Sequence, residues 1–308
     1  MHHGSKRSIL IIGGSGYLGQ ELIEHCFSKN FNIVSIGKSE SHNVSKKFHY
    51  ISCNIMNLNE LRSHLQNYCF DYVVNLGGYV DHSAYFNNGV ETFNTHFIGL
   101  KNIIESIDRR NLKRFIQIGS SDEYGISEYP QKESQREAPS SAYSASKVLA
   151  THYLQMLYRE INFPAVILRP FLIYGPRQSN NRLIPQVINA CLKGDSINLS
   201  PGEQVRDFCH VDDFINIIFK CFENEKVNGE IFNVGSGQAI KIKEVALRIR
   251  SIIGEGELNF GAYKYRNHES MFLVADISKS KEILNWLPKV SLKKGLSETI
   301  NWFKDFNE

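Results

Sequence analysis

Strands and helices alternate through the first 170 residues, which predicts an α/β fold: a doubly wound parallel sheet with a smaller, discontinuous α/β lobe after it. Three observations carry that prediction. Short apolar runs recur between amphipathic stretches of helical period. A glycine-rich turn joins the first run to the first helix. After Pro170 the rhythm breaks into short pieces punctuated by Pro176, Pro185 and Pro201.

Ser8–Ile12 is a run of the kind buried on both faces of a parallel sheet, and the helix after it is expected from Tyr17 to about Lys29, with Leu18, Leu22, Ile23 and Cys26 on one face. Phe31–Ile36 reads as the next strand, residues 58–66 as a helix, and residues 72–76 as a strand. A long helix is expected over 91–108, a strand over 114–119, a helix over 143–160 and a strand over 165–168. Beyond Pro170, Asp212 or Asp213 is placed to cap a helix running to about Phe222. A strand at Ile231–Val234, a helix near Ile242–Ile253 and a helix over 292–303 complete the pattern. The expected division is a larger sheet domain over 6–169 and about 205–235, with a smaller lobe over about 170–204 and 236–308.

Composition excludes several classes. The chain has 308 residues, 42% of them hydrophobic and 22% charged, with a formal net charge of +3, as in an ordinary globular enzyme. No run of like charges suggests nucleic acid or membrane-surface binding, and no apolar run is long enough to span a bilayer. Six scattered cysteines without a Cys-x-x-Cys pair predict reduced thiols, a cytoplasmic location and no metal site. Met1–Ser5 has the look of a tag remnant and is set aside.

The turn Gly13-Gly14-Ser15-Gly16-Tyr17-Leu18-Gly19 lies directly after a strand and opens a helix. Glycines at 13, 16 and 19 permit positive φ and let backbone N–H groups approach a pyrophosphate at the positive end of the helix. In that context the triplet reads as the phosphate loop of a Rossmann-type domain, not merely a tight turn, and the expected contacts include Gly13, Gly16, Tyr17, Leu18 and Gly19. A carboxylate is usual at the end of the second strand, where it holds the adenosine ribose. Here Gly37-Lys38-Ser39 stands there, so Lys38 and Ser39 favour a 2′-phosphate and NADP(H), with NAD(H) left open through Glu40.

Tyr143-Ser144-Ala145-Ser146-Lys147 puts a phenol and an ammonium four residues apart on one helix face. A tyrosine titrates near 10, and a neighbouring cation favours its phenolate, so the pair can exchange a proton with a sugar hydroxyl or ketone. Ser120-Ser121-Asp122-Glu123-Tyr124-Gly125 follows the strand over 114–119, where Ser120 can hydrogen-bond the same oxygen.

Together these motifs resemble the extended short-chain dehydrogenase/reductase family of nucleotide-sugar epimerases, dehydratases and reductases. The resemblance extends to Cys53-Asn54-Ile55, Asn75-Leu76-Gly77-Gly78, the Arg169–Arg177 stretch, Arg206–Asp213, Ala275-Asp276 and Leu284–Pro288. It implies Tyr143 as acid/base, Lys147 as its electrostatic partner and Ser120 as the second hydroxyl. Asn54 and Ile55 are implied at adenine, and Leu76, Gly77 and Gly78 beside the nicotinamide ribose, where Tyr143 and Lys147 also reach. Ser121, Asp122 and Arg177 are implied at the substrate, with Arg206 and Arg266 on its diphosphate.

Leu172 and His96 stand where the family usually carries Asn, and His96 reads as a buried, hydrogen-bonded helix residue. Asp122 stands where the 4,6-dehydratases carry a longer Glu, and Ser121 where some carry Asp, which weakens dehydration. The expected activity is reduction of a 4-keto nucleotide sugar with NAD(P)H in surface-polysaccharide precursor synthesis. A 4-epimerase or 4-dehydrogenase is the alternative, followed by a 4,6-dehydratase or a non-catalytic dinucleotide-binding protein. The resemblance also implies a homodimer through the two long helices, with Phe93, Phe97 and Ile104 serving either that seam or the core.

Overall fold

The computed structural model describes residues 6–38, 48–265 and 269–307. In chain order, its first elements are β1 (Ser8–Ile12), α1 (Tyr17–Ser28), β2 (Asn32–Gly37), β3 (His49–Ser52), α2 (Leu58–Leu65), β4 (Tyr72–Asn75) and α3 (Val90–Ser106). β5 (Arg114–Ile118), α4 (Ala142–Ile161), β6 (Ala165–Pro170), β7 (Leu172–Tyr174), α5 (Leu183–Lys193), β8 (Ser196–Leu199), β9 (Val205–Arg206) and β10 (Phe208–His210) follow. The remainder is α6 (Val211–Glu223), β11 (Ile231–Val234), β12 (Ile240–Lys241), α7 (Ile242–Ile253), β13 (Glu257–Phe260), β14 (Phe272–Leu273), α8 (Ser278–Leu284) and α9 (Leu292–Asn307).

Two compact units divide the chain: residues up to 125, 137–169 and 217–232 form the first, and 126–136, 170–216 and 233 onward the second. Residues 126–136 and 205–216, expected with the dinucleotide domain, thus group with the second unit.

The seven-stranded parallel sheet has the order β11-β6-β5-β4-β1-β2-β3. Strand order reverses between β1 and β4, whose registered pairs include Ile12 with Asn75. In such sheets ligands gather at the carboxyl ends flanking that reversal, where Gly13 and Leu76 lie. Leu10, Ile12, Val34, Val73, Phe115 and Ile167 are buried against Leu100 and Ile103 of α3 and Ala150 and Leu154 of α4. Each such apolar side chain contributes about 1.5–3 kcal/mol on burial, enough to make the sheet a rigid platform for its loops.

β3 was not expected, because His49-Tyr50-Ile51-Ser52 is too short and mixed to show a period. It forms by adding to β2 in parallel register, from Val34–His49 to Gly37–Ser52. Ile104, weighed for a dimer seam, is 5% exposed and belongs to the core. Phe93 and Phe97 are half-buried, with Phe97 edge-on to Tyr153 at 5.8 Å.

The second unit has its own core. Val187, Ile188 and Cys191 of α5 pack with Val245 and Ile249 of α7 and with Leu296 and Ile300 of α9. Pro185 does not interrupt this unit: it is the third residue of α5, where a helix has no partner for an N–H in any case. Asp212 and Asp213 are not caps but first-turn residues of α6, and the Asp213 carboxylate accepts from the N–H groups of Lys289 (2.8 Å) and Val290 (3.0 Å). All six cysteines are free thiols. Among the described residues no helix is long and apolar enough to cross a membrane.

Candidate active site

The phosphate loop is built by what its glycines lack. Gly13 has φ +81°, and a Cβ there would lie 2.9 Å from the backbone C and O of Leu76. A Cβ on Gly19 would lie 2.3 Å from the Gly13 carbonyl oxygen, so α1 seats directly on the turn. Gly16 serves as N-cap of α1 without a capping side chain, and a helix start of this kind is where an anion binds. Tyr17 and Leu18 begin the helix half-buried. A Cβ on Gly14 would fall 1.9 Å from Ser35 Oγ, a constraint no triplet spacing reveals. This cradle of close backbone fits a dinucleotide diphosphate.

Around it, Lys38 is exposed at the end of β2, while Ser39 and Arg266 lie outside the described residues. Asn54 forms a turn in which its Oδ1 accepts from Met56 N–H at 3.1 Å. The Ile55 side chain faces Gly77 and Gly99, and its carbonyl accepts from Asn102 Nδ2 at 3.0 Å. Leu76 and Gly77 follow β4, with Gly77 N–H donating to Asn75 Oδ1 at 3.0 Å.

Cys53 Sγ, Glu60 and His64 offer ligand atoms within 4.8 Å of one another, a grouping the sequence did not lead us to expect. Burial, reinforced by Glu60, pushes the Cys53 thiol up to about 11.

The tyrosine–lysine pair stands on the first turns of α4. Ser141 caps this helix: its Oγ accepts from Ser144 N–H (3.1 Å), and Ser144 Oγ accepts from Ser141 N–H (3.0 Å). Tyr143 is therefore the second helical residue, where the positive helix end favours a phenolate. Lys147 lies one turn on, its Nζ donating to the Ile118 carbonyl at 2.8 Å and standing 5.7 Å from the Tyr143 ring. Both residues are 5% exposed. Burial lowers Lys147 to about 8, and Glu123 opposes the fall.

Ser120 caps the short 3-10 turn Ser121–Tyr124 that follows β5, its Oγ accepting from Asp122 N–H at 3.1 Å. A hydroxyl that accepts in this way keeps its own proton for donation. Ser121 is buried, and Asp122 lies 3.6 Å from His82 Nε2. His82 stacks edge-on to Tyr143 at 5.5 Å. Sequence reasoning missed His82 because it sits in a loop outside every motif.

His96 behaves as expected for a buried helix residue. Its Nε2 bonds the Tyr79 carbonyl at 2.8 Å, and its ring fills the space left by Gly78 (φ +103°), where a Cβ would lie 2.2 Å away. Burial, then the charge of Lys147, lowers His96 to about 3. The unfolded chain protonates this histidine near 6.5 and the folded one does not. Its contribution to stability is therefore complete above 6.5 and is lost as pH falls towards 3, at about 1.4 kcal/mol per unit. Melting temperatures of wild type and His96→Asn between pH 7 and 5 should diverge on this account, with the variant less acid-sensitive. Parallel curves would contradict it.

In the second unit, Arg206 does not pair with Asp207. Asp207 is buried and accepts from Ser236 N–H (2.6 Å), Gly237 N–H (2.9 Å) and Ala275 N–H (3.1 Å). The Arg206 guanidinium is bound by Glu269 at 2.5 Å. Arg177 is exposed, with φ +63°.

Fold and site define a Rossmann-type dinucleotide-binding protein with a buried tyrosine–lysine pair at the carboxyl end of its sheet. Residues 9–235 match the NAD dependent epimerase/dehydratase family, and the chain belongs to that family. It is 28% identical to the UDP-N-acetyl-alpha-D-glucosaminuronate decarboxylase of Bacillus cytotoxicus, over 97% of this chain and 98% of that protein. The structure of a UDP-glucuronic acid 4-epimerase from Bacillus cereus, with UDP-glucuronic acid and NAD, is 26% identical and superposes with a TM-score of 0.87, covering 97% of this chain and 99% of that one. The UDP-glucose 4-epimerase of Thermotoga maritima, solved with UDP-glucose, shares the fold with a TM-score of 0.91 at 23% identity, over 98% of this chain and 100% of that one.

Proposed function

We propose that this protein is an NAD(H)-dependent oxidoreductase acting at C4 of a nucleotide-diphosphate sugar, and that its net reaction is C4 epimerisation. The observation that carries the reading is the buried Tyr143–Lys147 pair on the first turns of α4, with Lys147 tied to the end of β5 by its bond to Ile118. The dinucleotide, held by the Gly13–Gly19 turn with Ile55 and Gly77, would supply reversible hydride acceptance at its nicotinamide. Tyr143 takes the proton of the sugar 4-hydroxyl and returns it to the reformed alcohol, Lys147 stabilises the phenolate, and Ser120 hydrogen-bonds the same oxygen.

Epimerisation is preferred to the reductase expected from sequence because a UDP-glucuronic acid 4-epimerase is among the similar proteins named above. Net reduction of a 4-keto sugar is the second reading, favoured by the Ser120–Gly125 turn, and use of NADP(H) rests on Lys38 and Ser39, of which Lys38 lies among the described residues. For the sugar diphosphate, Arg177, Arg206 and Arg266 are the proposed guanidinium contacts, and at Arg206 a diphosphate would have to replace Glu269. Ser121 and Asp122 are assigned to the sugar, and a homodimer through α3 and α4 is part of the proposal.

The test is to incubate the enzyme with UDP-glucose or UDP-glucuronic acid and follow the products by NMR and the cofactor at 340 nm. Interconversion of C4 epimers without net change in absorbance supports the reading. Stoichiometric NADPH consumption with a 4-keto substrate, and no epimerisation, would replace it with the reductase.

A further inference from the structure

A buried ion network lies directly beneath the catalytic turn, and none of the motifs accounts for it. Glu123 is fully buried. Its Oε1 accepts from the Ser120 N–H at 2.8 Å, and its Oε2 accepts from Thr151 Oγ at 2.9 Å and Arg169 Nε at 2.9 Å. Thr151 lies on α4 one turn beyond Lys147, and Arg169 is the next-to-last residue of β6, so one carboxylate joins the serine turn, the catalytic helix and the sheet. Its seat depends on Gly119, where a Cβ would lie 2.4 Å from Glu123 Oε1. Arg169 also binds Glu137 at 2.7 Å, and Glu137 meets His152 at 3.3 Å.

Charge explains why the group is assembled. Lys147 and Arg169 bring two positive charges into a region closed to water, and Glu123 with Glu137 brings two negative ones. Removal of either acid leaves an uncompensated buried cation, the costly case for buried ion pairs. Glu123 is the nearer acid to the site, because it also holds Ser120. Lys147 feels Glu123 from the turn and His96 from α3, and His96 is uncharged at neutral pH.

We propose that Glu123 is a positioning residue for the reaction: its carboxylate fixes the Ser120 turn against α4 and keeps Lys147 charged, so that Lys147 can hold the Tyr143 phenolate. This rests on the reading of Tyr143 and Lys147 as the acid/base pair. Arg169 and Thr151 orient Glu123, and none of the three touches substrate.

The test compares wild type, Glu123→Gln and Glu137→Gln. In Glu123→Gln, kcat should fall at least about tenfold with KM within about twofold, and the alkaline limb of the kcat–pH profile should move down by about one unit, since a lost negative charge makes Lys147 shed its proton more readily. A second readout is independent of turnover. The rate of Lys147 carbamylation by cyanate, read by peptide mass spectrometry across pH, follows the free amine, and its midpoint should move down in parallel. A midpoint and alkaline limb unchanged in a folded Glu123→Gln protein would overturn the proposal. If that variant does not fold, Glu137→Gln, which removes the outer charge on the same Arg169, should show a smaller shift in the same direction, and an unmoved midpoint there overturns it equally. Full activity in Tyr143→Phe alongside a shifted Lys147 midpoint would instead sink the acid/base reading while leaving the Glu123–Lys147 coupling intact.

Discussion

Tyr143→Phe is expected to lower kcat by about 10²–10⁴-fold, the usual worth of a positioned acid/base, while leaving KM and the melting temperature nearly unchanged. The substitution removes one hydroxyl from a ring that stays packed edge-on against His82 and His96. On the proposed reading, what disappears is the group that moves a proton at the sugar oxygen, an interaction made chiefly in the transition state. Steady-state kinetics on a C4 epimer pair check this directly. A loss confined to KM would mean that Tyr143 binds the sugar without exchanging its proton, and a fall in melting temperature would mean that the ring had been disturbed.

Gly19→Ala should abolish dinucleotide binding, weakening affinity by at least about 100-fold, which corresponds to roughly 3 kcal/mol. An added methyl would meet the Gly13 carbonyl oxygen at 2.3 Å and the Gly14 Cα at 2.5 Å. Both obstacles are backbone, so no side chain can rotate away. Either the start of α1 lifts from the turn or the turn itself shifts, and in both cases the N–H groups lose their common focus. Gly16→Ala is the contrasting case: its Cβ would be 3.3 Å from the Gly13 oxygen, a contact relieved by a small movement, and its effect should be milder. Cofactor titration of the three proteins by fluorescence or calorimetry measures the difference. Equal losses in the two variants would show that affinity does not follow this packing.

The parts legible in the sequence are those written as local patterns. Ser8–Ile12, Gly13–Gly19 and the Tyr143–Lys147 pair each complete their message within one element, because burial, turn conformation and helix face depend on neighbours a few residues apart. The short strands of the second unit were not legible. Val205–Arg206 and Phe272–Leu273 are two-residue pieces held, with Ile240–Lys241, only as partners in a small three-stranded sheet, and no period can be read from two residues. Glu123 shows the same limit at the site. Its turn reads as an ordinary acidic helix start, and its partner Arg169 lies 46 residues away. Nothing local states that the two charges meet in the core. Arg206 shows the limit differently: its adjacent acid, Asp207, is directed to backbone donors 29–68 residues distant, and the guanidinium meets Glu269, 63 residues on.

The network beneath Ser120 also bears on which C4 reaction is catalysed. Asp122 is held by backbone capping with His82 beside it, while the longer acid, Glu123, is turned inward and committed to Arg169. On the proposed reading, the turn would offer the sugar a serine and a short carboxylate, an arrangement better suited to binding at C4 than to eliminating water from the neighbouring carbons.

The central claim is that the hydrogen bound to C4 of the sugar leaves and returns within the closed site. UDP-glucose deuterated at C4, incubated with the enzyme in ordinary water and followed by NMR and mass spectrometry, tests it most directly. The account predicts UDP-galactose with the deuterium retained at C4 and no label lost to solvent. Loss of the label to water, or a product altered at a carbon other than C4, would contradict it.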